Sequence, residues 1–266
     1  ETMGVFQLES GGMTETCRRY GIRRIDDIID PLALYRPGAM QFINEMIEVK
    51  EGRKEVKYEH PLLEQVCGDT YGVMIYQEQV QNAAKLLAGY TLGGADILRR
   101  AMSKKKQSEM DKQRAAFVTG CKSENNIDKH LANRIFDKIA SFAGYGFNKS
   151  HSACYAHISY WTAYLKANHP VEFMAGVLSC ELGNSEKLAH FIGECAEMGI
   201  PVLGPDVNES GERFTPVPGK DGETGSIRFG LAAVKGIGDA ASKLIVAERG
   251  NNGPFDGFTD LVERVD

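Results

Sequence analysis

The sequence predicts a mainly α-helical protein that ends in a short β hairpin and a small, compact helical unit. Apolar residues between Ile127 and Phe142 recur at steps of three and four, which is the spacing of one helix face. The stretch from Ser152 to Lys166 is apolar on almost every side, which is typical of a helix enclosed by other helices. Prolines and glycines accumulate after Pro201 and predict that the helical pattern breaks there.

Most of the first two hundred residues have the pattern of helices joined by glycine-containing loops. Ser108 predicts the start of a helix whose Phe117 and Cys121 share one buried face. The helix that begins near Ile127 follows, and the glycines within residues 144–146 end it. We expect these two helices to pack against each other.

Three further helices are expected before the break. The enclosed helix ends before Pro170, which also suits the first turn of a following helix that runs through Cys180. Ser185 is a suitable cap for another helix, which stops at Gly199.

Two different segments follow the break. Residues 205–230 predict a linker with a short hairpin, whose extended pieces lie around Phe214 and residues 227–229. Residues 231–266 predict a compact helical unit containing Gly236 and Gly238. Paired glycines let backbone amides approach a DNA phosphate, although Gly-x-Gly alone is a weak signal.

Composition excludes several classes of protein. The 266 residues are 42% hydrophobic and 25% charged, which is enough for a buried core in one large domain with an appendage, or in two modest domains. No apolar run approaches the roughly 18 residues of a membrane helix, and the first residues lack the pattern of a secretion signal. Six scattered cysteines favour neither a zinc site nor disulfides. We expect a cytoplasmic chain cut from a longer one.

An acidic chain, with a net charge of −5, carries one strongly basic stretch. The stretch from Arg99 to Arg114 contains seven basic residues and two acidic ones. Arg99 and Arg100 follow a glycine turn on a predicted helical segment, and three lysines come next. Guanidinium groups bind phosphate oxygens bidentately, so this arrangement favours a polyphosphate or a nucleic-acid backbone. The alternative is a solvated charge run.

A second constellation lies between Phe142 and Ser152. Its glycines free the backbone, Ser150 or Ser152 begins the next helix, and Lys149 and His151 lie at the amino end of that helix. A helix amino terminus flanked by cations is a natural anion site. A well-capped turn between helices is an equal alternative.

Taken together, the motifs resemble one protein family over essentially the whole chain. They are Gly4-Val-Phe-Gln-Leu-Glu-Ser, Leu34-Tyr-Arg-Pro-Gly, the strings at residues 70–79, 89–102 and 142–152, and Tyr164-Leu-Lys-Ala-Asn-His-Pro. Their order closely resembles that of the C-family bacterial replicative polymerases, the DNA polymerase III alpha subunit family. The resemblance implies a fingers domain at residues 1–204, a linker with a short β hairpin at 205–230 and a helix-hairpin-helix segment at 231–266.

The resemblance also implies an activity for the full-length protein, which is template-directed DNA polymerisation by nucleotidyl transfer. In the family, the aspartates that hold Mg²⁺ belong to a palm that lies largely upstream of the segment resembled here. We therefore expect this chain to hold no metal or cofactor, to contain no catalytic residue and to be inactive alone. Asp26 and Asp27 precede an apolar run and indicate a helix start rather than metal ligands.

The implied partners are primer–template DNA, a deoxynucleoside triphosphate (dNTP), the palm of the same polypeptide, the sliding clamp and other replisome subunits, and no membrane. By the same resemblance, the expected phosphate-binding residues for the dNTP are Arg99, Arg100, Arg36, Lys149 and His151. The expected DNA-binding residues are Lys104, Lys105, Lys106, Lys235, Gly236 and Gly238. Tyr76, Gln77 and Gln79 either line the pocket or support it. Ser103 departs from the family, which usually has glycine there.

Two hypotheses from other classes remain open at this point. One is a non-catalytic, helical DNA-binding module that uses the helix-hairpin-helix segment alone. The other is a protein-interaction scaffold whose basic patch is only a solvated face, as the net negative charge allows.

Overall fold

The computed structural model describes residues 2–104, 107–220 and 224–265. Helices dominate these residues, which confirms the predicted mainly α fold. The helices are α1 Gly11–Tyr20, α2 Asp26–Leu34, α3 Ile43–Lys50, α4 Glu64–Cys67, α5 Gln77–Ala88, α6 Leu92–Lys104, α7 Gln107–Asn125, α8 Lys129–Ala143, α9 Lys149–Asn168, α10 Pro170–Cys180, α11 Ser185–Glu197, α12 Asp239–Asn252 and α13 Phe258–Arg264. The strands are β1 Val202–Leu203, β2 Thr215–Val217 and β3 Ser226–Arg228.

Contacts divide the chain into two compact units. The first unit is Ser10–Tyr160, and the second is Glu1–Glu9 together with Trp161–Asp266. Helix α9 contributes residues to both units, because it runs across residue 160. The sequence-based division at residues 204 and 230 stays a prediction.

Helices α7 and α8 pack against each other in the first unit, as the apolar stripes predict. The rings of Phe117 and Phe136, both fully buried, lie 5.6 Å apart between centroids. The Asp128 side chain caps α8 by accepting hydrogen bonds from the backbone N–H groups of His130, at 2.8 Å, and Leu131, at 3.0 Å. This cap satisfies two of the amides that a helix start leaves without partners.

Gly120 allows a close crossing of α5 and α7. A Cβ atom added to Gly120 would lie 2.2 Å from the carbonyl oxygen of Ala88, the last residue of α5. We expect Gly120→Ala to lower the free energy of unfolding by about 1–3 kcal/mol, because the rigid backbone of α5 has to move. Urea denaturation followed by circular dichroism measures this change.

A control for this prediction is available on α11. Gly193 also lies within a helix, but an added Cβ atom there meets nothing within 4 Å. Gly193→Ala is therefore expected to stabilise the chain by about 0.5–1 kcal/mol through helix propensity. If both substitutions changed the free energy of unfolding in the same direction, the explanation by a close helix crossing at Gly120 would be contradicted.

The second unit contains the predicted hairpin. Strands β2 and β3 pair in antiparallel fashion, with Pro216 opposite Ile227, which confirms that expectation. Strand β1 joins the other edge of β3 in parallel. Phe214 and Ile227 are buried with residues of α10 and α11, and a smaller core of Leu231, Ile245 and Phe255 holds the C-terminal helices.

The expectation that residues 152–166 form an enclosed helix is wrong. The segment lies in α9, but five of its large side chains are exposed. Tyrosine and tryptophan have polar tips that remain compatible with water, so counting them as apolar overestimates burial. The exposed side chains are Ile158, Tyr160, Trp161, Tyr164 and Leu165.

Candidate phosphate-binding site

The site is built around Phe147, which joins the starts of α5 and α9 within the first unit. The backbone N–H of Phe147 donates to the carbonyl oxygen of Ile75 at 2.9 Å, and the N–H of Gln77 donates to the carbonyl oxygen of Phe147 at 2.8 Å. These bonds form an isolated parallel bridge between Tyr76 and Phe147. Residues far apart in the chain, at 75–77 and 147, therefore lie side by side.

Three of the predicted phosphate-binding residues lie near Phe147 or its neighbour Tyr76. The guanidinium of Arg36 lies 4.7 Å from the centroid of the Phe147 ring, and the His151 ring lies 5.5 Å from it. Lys149 Nζ lies 5.4 Å from the centroid of the Tyr76 ring. Basic side chains from α9 and from the turn after α2 therefore lie around the Tyr76–Phe147 bridge.

Arg36 is also bound to the protein backbone. It donates from Nε to the carbonyl oxygen of Ala33 at 2.9 Å and from Nη2 to the carbonyl oxygen of Tyr145. Partial burial lowers the pKa of Arg36 from its usual value. These contacts hold the turn after α2 against the turn before α9, so Arg36 has a structural role besides any role in binding phosphate.

The amino terminus of α9 is already occupied by a protein carboxylate. Glu78 accepts hydrogen bonds from the backbone N–H of Lys149, at 3.0 and 3.1 Å, and from the Asn148 side chain at 3.1 Å. Asn148 Oδ1 accepts from the N–H of His151 at 2.8 Å, so Asn148 caps the helix. This geometry is the capped turn that the sequence left as an alternative, and phosphate binding by Lys149 and His151 stays a prediction.

The expected start of this helix needs a correction. The sequence indicates that Ser150 or Ser152 begins it, but α9 begins at Lys149. The hydroxyl of Ser152 is buried and donates to the carbonyl oxygen of Ile29 at 2.6 Å instead of capping the helix. Asn148 is an equally good cap, and its side chain takes that place.

The two arginines of α6 share one carboxylate but differ in exposure. Arg99 donates to Asp96 Oδ1 from Nε at 2.9 Å and from Nη2 at 2.8 Å, whereas Arg100 contacts Asp96 Oδ2 through Nε at 2.7 Å. The Arg99 side chain is 20% exposed and that of Arg100 is 67% exposed. The hydrogen bond from Arg99 and the charges of both arginines lower the pKa of Asp96, so this carboxylate stays ionised at neutral pH.

The residues named as possible pocket support form a hydrogen-bonded base for the site. Gln77 Nε2 donates to the carbonyl oxygen of Gly146 at 3.1 Å, and its Oε1 accepts from Arg99 Nη1 at 3.2 Å. Gln79 Oε1 accepts from the N–H of Tyr76 at 2.9 Å, and its Nε2 donates to the Thr70 hydroxyl at 2.7 Å. Gln77 therefore links α6 to the Phe147 turn, whereas Gln79 fixes the start of α5.

Sequence reasoning missed the carboxylate beneath this base. Asp30 accepts hydrogen bonds from the hydroxyls of Tyr76, at 2.5 Å, and Tyr20, at 2.7 Å. Burial raises the pKa of Asp30, although the two hydroxyls oppose that effect. The available signal was an acidic residue inside the apolar run of α2, where a buried charge needs partners.

The remaining predicted DNA-binding residues fall into two groups. Lys104 ends α6, while Lys105 and Lys106 lie outside the described residues. In the second unit, Lys235, Gly236 and Gly238 lie exposed on the turn before α12. Gly236 has a φ of +95°, and Cβ atoms added to Gly236 or Gly238 would meet nothing within 4 Å. A ligand backbone can approach this turn closely.

The described carboxylates of the site do not fit a magnesium ion. Asp30 is bound by tyrosine hydroxyls, Asp96 by guanidiniums and Glu78 by amides, whereas Mg²⁺ takes open oxygen ligands. In residues 2–104, 107–220 and 224–265 there is no group of three or more His, Cys, Asp or Glu side chains that could hold a metal ion. Among the same residues, no helix is long and apolar enough to cross a membrane.

Two family models match parts of the chain. Residues 1–125 match the bacterial DNA polymerase III alpha subunit finger domain, and residues 199–266 match a helix-hairpin-helix motif.

The chain is also similar to proteins named DNA polymerase III subunit alpha. It is 50% identical to the protein of Caulobacter vibrioides, 49% identical to that of Thermus aquaticus and 47% identical to that of Pseudomonas aeruginosa. Each similarity covers 100% of this chain, but only 22 or 23% of the relative. The chain thus spans less than a quarter of the length of these relatives.

Proposed function

The chain belongs to the bacterial DNA polymerase III alpha subunit family, of which it represents the finger and helix-hairpin-helix region, and on that premise we propose that it contacts the incoming dNTP and the primer–template. The main support is Arg100, a largely exposed arginine on α6 whose neighbour Arg99 is held by Gln77 of α5. A guanidinium binds phosphate oxygens with two parallel hydrogen bonds, which suits a triphosphate.

The proposed role in catalysis is positional. Arg100 neutralises charge on the terminal phosphates and helps hold the α-phosphorus in line with the primer 3′-hydroxyl. No residue of this chain is assigned a proton transfer. Nucleotidyl transfer is proposed for the full-length protein, in which carboxylates outside this chain hold Mg²⁺, since Asp30, Asp96 and Glu78 are already bound by protein donors and the described residues contain no group of three or more possible metal ligands.

The turn before α12 is proposed to bind the duplex backbone. Its glycines leave the backbone open, and Lys235 adds positive charge beside them. Contacts with phosphates position a protein without reading the base sequence, so we expect no sequence preference. The proposal also implies a cytoplasmic protein that works with a sliding clamp and other replisome subunits.

A salt series tests the proposal. We expect the 266-residue chain to bind a fluorescent primer–template, and the logarithm of the binding constant to fall linearly with the logarithm of salt concentration, because phosphate contacts release counterions. Lys235→Ala is expected to make that slope shallower by about one, because Lys235 is proposed to contact a backbone phosphate. Fluorescence anisotropy measures both quantities, and a slope near zero for the unsubstituted chain refutes the proposal.

The same assay separates the two DNA-binding hypotheses. Gly236→Ala and Gly238→Ala alter only the turn before α12, whereas Arg100→Ala alters only α6. If the glycine variants weaken binding of DNA while Arg100→Ala changes neither DNA nor dNTP binding, the chain is a helix-hairpin-helix module without a nucleotide site.

A further inference from the structure

We propose that Asp96 is a positioning residue that aims the guanidinium of Arg100 at a phosphate group; this inference rests on the function proposed above. It assigns different tasks to the two arginines of α6. Arg100 contacts the phosphate, while Arg99 belongs to the support that keeps Asp96 in place.

Asp96 is held through one of its two oxygens. Its Oδ1 accepts hydrogen bonds from Arg99 Nε and Nη2 and from Gln81 Nε2 on α5, the last at 3.2 Å. Arg99 is in turn held by Gln77 Oε1, and Gln77 by the carbonyl oxygen of Gly146. A series of hydrogen bonds therefore connects the turn that contains Phe147, through residues of α5, to Asp96 Oδ1. The other oxygen of Asp96, Oδ2, contacts Arg100.

Arg100 meets Asp96 in a way that leaves a binding face available. A guanidinium has a side edge that includes Nε and an end formed by Nη1 and Nη2, and either can form a bidentate pair with an oxyanion. Arg100 contacts Asp96 through Nε at 2.7 Å. The Arg100 side chain is 67% exposed, and the proposal assigns its Nη1/Nη2 end to the phosphate.

The two arginines are not equivalent in this respect. Arg99 uses Nε, Nη1 and Nη2 for contacts inside the protein, and its side chain is mostly buried. Arg100 contacts Asp96 through Nε, and its side chain is largely exposed. An arginine that is already anchored loses less side-chain entropy when it binds a ligand, which is the benefit of preorganisation.

This assignment and simple charge repulsion predict opposite results. If Asp96 only repels an anionic ligand, its removal strengthens binding, because the chain gains positive charge. If Asp96 aims Arg100, its removal weakens binding despite that gain. The sign of the change therefore distinguishes the two explanations.

The experiment measures binding of inorganic tripolyphosphate and of a dNTP to the 266-residue chain by isothermal titration calorimetry. Asp96→Ala is expected to weaken both affinities about tenfold, as is Asp96→Asn, whose amide has one acceptor oxygen for two arginines. Glu109→Ala is the matched control. It also removes one negative charge from the basic stretch, but it does so at an exposed pair with Lys112, and it should not weaken binding.

A double-mutant cycle excludes a merely structural role for Asp96. If Asp96 acts through Arg100, then Asp96→Ala has no further effect on affinity once Arg100→Ala is present. Stronger binding by Asp96→Ala, or additive losses in the cycle, overturns this inference and leaves the proposed function intact. If Arg100→Ala by itself leaves both affinities unchanged, the proposed triphosphate contact fails as well.

Discussion

Arg100→Ala is expected to reduce nucleotide incorporation by a full-length polymerase carrying this chain about 10²–10³-fold. Removing one preorganised hydrogen-bond donor from a charged transition state has an effect of this order. Arg100 has the required features, because its guanidinium contacts Asp96 through Nε and its side chain is 67% exposed. Single-turnover primer extension at several dNTP concentrations measures the loss and divides it between affinity and rate.

Lys112→Ala is the matched control for this result. Lys112 lies in the same basic stretch, its side chain is similarly exposed, and it pairs with Glu109 on its own helix. Its removal tests whether general positive charge is sufficient, and we expect less than a threefold change. Equal losses in both variants would show that the basic stretch acts as a diffuse charge and that Arg100 has no specific contact.

Lys166→Ala is expected to lower the free energy of unfolding by about 3–5 kcal/mol. Lys166 Nζ lies 2.5 Å from Glu194 Oε1 and donates to the carbonyl oxygen of Met3 at 2.9 Å. Both charged side chains are only 7% exposed. The substitution leaves the Glu194 carboxylate buried without a cation, and an unpaired buried charge is strongly destabilising. Urea denaturation followed by circular dichroism measures the loss.

Two further variants test this explanation. Lys243 pairs with Asp239 at the surface of the same unit, and Lys243→Ala is expected to cost less than about 1 kcal/mol because water screens that pair. Lys166→Met combined with Glu194→Leu is expected to recover most of the lost stability, since neither side chain then carries a buried charge. A double variant as unstable as Lys166→Ala would contradict the charge explanation.

Periodicity predicted the helices well where apolar residues occupy one stripe. The stripe that starts near Ile127 became α8, and its partner Phe117 packs on Phe136 as expected. The same reasoning failed for α9, where apolar and aromatic residues occur on all sides of the helix. The pattern of residue types therefore does not distinguish a buried face from an exposed one. Burial depends on what packs against a helix, and a sequence window does not contain that information.

The candidate site was predictable in its composition but not in its connections. Glycine turns and paired arginines predict that Arg99 and Arg100 bind phosphate, and this role stays a prediction, although both residues lie on one helix as expected. Their surroundings differ because Asp96 is held by Gln81, and Arg99 by Gln77, from another helix. Glu78 likewise occupies the amino terminus of α9 from about seventy residues away in sequence. Gln77, Gln81 and Glu78 are all distant in sequence from the groups they bind, so no local sequence pattern identifies them as partners.

The sequence by itself determined the helical class, the hairpin, the basic stretch and the family, because each depends on local spacing or on the order of short motifs. Only the tertiary structure decided which cation faces solvent and which is neutralised inside the protein. That outcome depends on contacts of 3.2 Å that Gln77 and Gln81 of α5 make with Arg99 and Asp96 of α6, because these contacts decide which arginine remains available to a phosphate.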